Sequence, residues 1–113
     1  MQKLEILLDE EKIKQEDKYE LADIYNGIDE LFAEEGLPKM PTDANSKSIF
    51  YRDNGRNTDL GAIFSCVFYL RDQDWFMPYV KKWLYYNSDN GKTEDDFIIE
   101  NILQLSKEVV IYD

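Results

Sequence analysis

The feature that most constrains this chain is an amphipathic helix with its own stop signal. Leu21, Ile24, Tyr25, Ile28, Leu31 and Phe32 recur at i, i+3, i+4 and i+7. Asp17, with Glu20 three residues on, has the spacing of a capping box at the start. Gly36, followed by Leu37 and Pro38, predicts the end: glycine takes the left-handed position past the last turn, and proline cannot continue the helix. Projected at ~100° per residue, Glu20, Asp23, Glu30 and Glu34 fall opposite the apolar stripe.

The other elements are shorter. Leu4, Ile6 and Leu8 lie on one side of a strand over residues 4–8, with a sheet edge among its options; the charged run 9–12 then breaks it. Residues 38–48 predict a loop, 48–52 a short strand, and Asp53-Asn54-Gly55 a turn. Residues 60–70 fit two periods. Leu60, Ile63, Phe64, Val67 and Leu70 make a helical stripe, whereas Phe64, Cys66, Phe68 and Leu70 alternate as in a strand. Helix is preferred, because Thr58 or Asp59 can cap it. Asp74 then caps a helix over 75–86 that buries Phe76, Val80, Trp83 and Leu84 and tolerates Pro78 near its first turn. Residues 87–91 end that helix. Thr93 and Asp96 open another through Leu105, with Glu94, Asp95 and Asp96 in its first turn, and 109–112 suggests a last strand. The expected fold is α+β, about four helices with a small two- to three-stranded sheet in one domain of 113 residues.

Composition excludes more function classes than it suggests. The chain is 43% hydrophobic and 14% aromatic, too apolar for a disordered acidic tail. Its single cysteine, Cys66, sits in an apolar run and cannot make an internal disulfide, which fits a buried small hydrophobe in a reducing, cytoplasmic setting. No apolar run approaches the ~20 residues of a membrane span, and the charged start does not resemble a signal peptide. There is no histidine, hence no imidazole base or metal ligand. Phosphate-binding glycine loops, GxSxG and paired-cysteine zinc motifs are missing from the sequence. Residues 53–59 and 87–91 are oxygen-rich, but placing either glycine at the sixth position of a calcium loop puts Phe50 or Tyr86 first, and neither can ligate. Turn and cap chemistry is the better reading. Asp95 and Asp96 read as dipole-stabilised rather than as an acid–base pair. No catalytic, cofactor or metal residue is assigned, and the chain is expected not to be an enzyme.

The charge balance points to a partner. With 24 acids against 13 bases the net charge is −11, a field that disfavours direct binding to nucleic acid or anionic membrane and favours a basic protein surface. Residues 1–36 hold 12 acids and 4 bases, and 87–113 hold 7 and 2, whereas the aromatic-rich middle holds 5 and 7. Glu20, Asp23, Glu30 and Glu34 spread over roughly 21 Å of helix at ~1.5 Å per residue. Asp96 and Glu100, if close by, would bring the density towards that of a nucleic-acid backbone. The plain alternative is a solvated helix face. A second group, Trp75, Tyr79, Lys82, Tyr85 and Tyr86, projects from the other side of the expected 75–86 helix with the chemistry of an interface hot spot. Its alternative is cover by another element.

Three segments, LEILLDEEKI (4–13), DWFMPYVKKWLYYNSDNGK (74–92) and EDDFIIENIL (94–103), carry a resemblance in style. With the richness in isoleucine, lysine, asparagine and tyrosine, the chain resembles small acidic proteins of phages, plasmids and conjugative elements of low-GC Gram-positive bacteria. That resemblance implies a non-enzymatic inhibitor of a basic nucleic-acid-handling protein such as a nuclease, in the manner of anti-CRISPR proteins. The alternatives it leaves are an immunity protein for a cognate toxin, or an accessory domain that dimerises through Trp75, Tyr79 and Tyr86.

Overall fold

Leu4, Ile6 and Leu8 alternate with Lys3, Glu5 and Leu7, and the strand they build, β1 (Gln2–Leu8), is flanked on both sides. The computed structural model describes residues 1–43, 45–87 and 98–104. Its order is β1, α1 (Glu10–Glu16), α2 (Leu21–Glu34), β2 (Ile49–Arg52), α3 (Asp59–Arg71), a 3-10 turn (Met77–Tyr79), β3 (Val80–Asn87) and β4 (Ile98–Asn101). The four strands form one antiparallel sheet in the order β2-β1-β3-β4. The α+β expectation therefore holds, with a sheet one strand wider than foreseen. β1 is not at the edge: β2 and β3 pair with its two sides, and Leu4 and Ile6 are fully buried.

In-register pairs explain the two faces. Leu4 opposes Tyr51 and Tyr85, and Ile6 opposes Ile49 and Trp83, so these six side chains share the face that the helices cover. Ile13, Ile24, Ile28, Phe32, Ile63, Cys66, Val67 and Leu70 fill the helical side of the same core. Phe32 stacks on Tyr51 at 4.0 Å between ring centres, and Phe76 meets Trp83 edge-on at 5.0 Å. Lys3, Glu5, Leu7, Phe50, Lys82, Leu84 and Tyr86 belong to the opposite face by the same alternation.

The strongest prediction survives with different caps. α2 buries Ile24, Ile28 and Phe32 and ends in a Schellman motif: Gly36 has φ 71°, its N–H donates to the Ala33 carbonyl, and that of Leu37 donates to Phe32. Asp17, however, does not cap α2. It adopts φ 51° and closes α1, donating its N–H to the Ile13 carbonyl. The run 9–12 does not merely end β1. The Asp9 carboxylate accepts from the Lys12 N–H at 3.1 Å and starts α1, a seven-residue helix with Ile13 as its buried anchor.

Residues 60–70 are helical. The buried stripe is Ile63, Cys66, Val67 and Leu70, whereas Leu60 turns outward at 49% exposure. Thr58 precedes α3 without a side-chain cap bond. Asp59, fully buried, accepts instead from the backbone N–H groups of Asn54 (2.6 Å) and Arg56 (3.0 Å). That contact is the turn chemistry expected of 53–59.

Two helix predictions are corrected. Residues 75–86 are a turn, the 3-10 segment and then β3. Phe76, Val80, Trp83 and Leu84 suit a helical stripe, but the run VKKWLYYN is rich in aromatic residues and pairs with β1 over its length. Pro78 is confined to the 3-10 turn. In the segment read as a helix over 93–105, Ile98–Asn101 is β4, paired to β3. The remainder of 88–97 and 105–113, with Thr93, Asp96 and the suggested strand at 109–112, lies outside the described residues.

Candidate partner-binding surface

Two groups of acids stand out among the described residues by what they touch. One group holds tyrosine hydroxyls. Tyr25 donates to Glu10 at 2.6 Å, Tyr79 to Glu16 at 2.9 Å and Tyr86 to Glu5 at 2.6 Å, while Tyr51 donates to Asp29. Lys47 reaches Glu10, Lys39 reaches Asp29 and Lys82 reaches Glu5. These contacts give the tyrosines the partners that a semi-buried hydroxyl needs. Burial, then the bonded carboxylate, raises the Tyr86 hydroxyl to about 12 and pushes those of Tyr25, Tyr51 and Tyr79 up as well. Glu5 is only 6% exposed. Burial works against its charge, but hydrogen bonds from Tyr86 and Ser48 and the nearby Lys82 hold its carboxyl below the usual range. At Glu10 the Tyr25 hydrogen bond does the same.

The second group is the outer face of α2. Glu20, Asp23, Glu30 and Glu34 are all exposed, and none has an ion-pair partner among the described residues. The helix has no basic residue in its last turn, where Glu34 and then Glu35 sit at the negative end of the dipole. Glu30 and Glu34 are one turn apart with like charge. Stability alone would favour lysine there, so this face carries repulsion that the fold does not relieve.

The expected additions to that face fall elsewhere. Glu100 is exposed on β4, opposite Tyr85, at the far edge of the sheet from β2, the strand over which Phe32 of α2 stacks. Asp96 lies outside the described residues.

The expected aromatic surface is dispersed, because strand alternation replaces the helical period. Tyr79 is 2% exposed, and Tyr85 is 4% exposed on the inner face with its hydroxyl on Gln2. Tyr86 and Lys82 are on the opposite face, both bonded to Glu5. Trp75, Tyr79 and Tyr86 therefore do not form one exposed surface.

Trp75 alone joins the acidic face. It is half-buried, with its ring over α2 at Gly27, where an added Cβ would meet ring carbon Cη2 at 3.4 Å. A groove of about 410 Å³ opens between α2 and α3, lined by Gly27, Glu30, Leu31, Glu34, Tyr69 and Trp75. Gln73 ties its aromatic wall together: its Nε2 donates to the Tyr69 carbonyl at 3.0 Å, and its Oε1 accepts from the Trp75 indole N–H at 3.1 Å. Tyr69 went unnoticed in the sequence because it stands off the buried stripe of α3. The signal that could have flagged it is that 60–70 carries no charge at all in a chain that is 33% charged.

No family model matches the chain, and no curated protein or solved structure does either. Among the described residues no helix is long and apolar enough to cross a membrane.

Proposed function

We propose that this protein is a non-enzymatic binder that sets the carboxylate face of α2 against a basic protein surface, that of a nucleic-acid-handling protein such as a nuclease. The observation that carries this reading is the division of the acids. Glu5, Glu10, Glu16 and Asp29 hold tyrosines, and Asp9 and Asp59 hold backbone N–H groups, while Glu20, Asp23, Glu30 and Glu34 gather on one helix face, exposed and without an ion-pair partner among the described residues. Four carboxylates over roughly 21 Å of helix are sparser than duplex phosphates at ~1.7 Å per charge, so the face acts as a partial mimic at a few phosphate positions. Steering by the net charge of −11 speeds association, and salt weakens it over a Debye length of ~10 Å at 0.1 M.

The test is capture from a bacterial lysate at low and high salt, with the E20Q/D23N/E30Q/E34Q variant alongside. Nucleic-acid-binding proteins retained by the wild type, released by added duplex DNA and missed by the variant support the proposal. The same set captured by both proteins, or none at low salt, overturns it.

A further inference from the structure

Gly27, Glu30, Leu31 and Glu34 follow one another at i, i+3, i+4 and i+7, a single stripe of α2 that forms one wall of the groove. The opposing wall is aromatic: Tyr69, 49% exposed on α3, and Trp75, whose indole N–H donates to Gln73 while Gln73 donates to the Tyr69 backbone carbonyl. Two carboxylates facing two rings is an environment for a cation that is planar and weakly hydrated. A guanidinium can present its N–H edge to carboxylates while its face lies on a ring, which an ammonium cannot do. No cation of the chain reaches Glu30 or Glu34 among the described residues. The nearest arginine on α3, Arg71, stands 5.2 Å from the ring of its neighbour Phe68 instead.

We infer that the groove between α2 and α3 takes an arginine side chain from a protein partner, its guanidinium held by Glu30 and Glu34 and stacked on Tyr69 and Trp75. This rests on the reading of α2 as the partner-binding face and names the anchor point on it. The charge complementarity is local: among the described residues the groove's only charged groups are the two carboxylates.

The two tryptophans make the test internal, since Trp75 lines the groove while Trp83 is fully buried in the core. Amide and indole N–H spectra are recorded while the tripeptide acetyl-Gly-Arg-Gly-amide is added at low salt, with its lysine and citrulline counterparts as controls. The arginine peptide is expected to move the Trp75 indole signal and the amides of 30–34 and leave Trp83 unmoved. The lysine peptide should bind about fivefold more weakly, and the uncharged citrulline peptide should not bind. E30Q/E34Q and, separately, Y69A should each weaken the arginine peptide about five- to tenfold with unchanged Trp83 signals. Equal response to lysine and arginine overturns the guanidinium assignment. Shifts at Glu20 and Asp23 with Trp75 silent overturn the groove but leave the α2 face standing. No shift with any cationic peptide at low salt overturns both.

Discussion

Arg56 and Asp59 join the end of one helix to the start of the next. The Arg56 guanidinium meets the fully buried Asp59 carboxylate at 2.6 Å through Nη2 and 2.7 Å through Nε, while Nη2 also donates to the Glu35 carbonyl at 2.7 Å, just past α2. Burial opposes the charge on Asp59, but the N–H groups of Arg56 and Asn54 and the guanidinium hold its carboxyl below the usual range. Arg56→Ala should lower the urea midpoint more than any other single truncation of an exposed side chain. Arg56→Lys should recover less than half of the loss, because an ammonium cannot serve carboxylate and carbonyl in one plane. Equal midpoints for lysine and arginine would count against the fork as the linking device.

Two glycines should respond in opposite directions to alanine. Gly36 has φ 71°, and an added Cβ would stand 2.8 Å from Arg56 Nη1, so Gly36→Ala should destabilise by about 1–2 kcal/mol. Gly61, inside α3 with nothing within 4 Å of an added Cβ, should gain about 0.5–1 kcal/mol as alanine. Chemical denaturation of the two variants reads both signs.

The α2 face should yield stability when neutralised. Glu34→Gln removes a like charge one turn from Glu30 and an anion at the negative end of the helix, for a gain of about 0.5–1 kcal/mol. A loss on thermal denaturation would mean that Glu34 has a structural partner.

Stability should fall at both ends of the pH scale. Glu5, Glu10 and Asp59 titrate lower when folded than unfolded, so their contribution is present above ~4 and drains away as pH falls through their folded values. The tyrosines run the other way. Unfolded tyrosine ionises near ~10, whereas Tyr86 waits until about 12, with Tyr25, Tyr51 and Tyr79 also raised. Their contribution is complete below ~10 and is lost as pH rises further. Urea midpoints from pH 3 to 11 check both arms, and Tyr86→Phe should flatten part of the alkaline one.

Cys66 should be inert in the native state. It is fully buried, and burial, with a small push from Glu35, raises its thiol to about 12. Alkylation should proceed at the unfolding rate and accelerate with urea. Rapid labelling in native buffer would show that α3 opens locally.

The sequence made some of this legible and hid the rest for identifiable reasons. α2 was readable because six apolar residues at one period end in Gly36, and only a helix explains both. α1 escaped notice because a seven-residue helix needs one buried side chain, Ile13, and one residue has no period. β3 was misread because Phe76, Val80, Trp83 and Leu84 satisfy the helical period by coincidence, whereas Val80, Trp83 and Leu84 pair with β1 and Phe76 precedes the 3-10 turn. The acidic half of the candidate site was visible as a helix face. The groove was not, since it depends on Tyr69 and Trp75 arriving beside Gly27 from elsewhere in the chain.

The central position of β1 has a consequence for how the molecule comes into being. During synthesis its Leu4 and Ile6 emerge before their partners, for Gln2 pairs with Asn87 and Ile6 with Trp83. No sheet can close around β1 until nearly all of the described chain has left the ribosome. Long-range antiparallel pairing of this kind is slow, and the exposed apolar edge is prone to wrong partners while it waits.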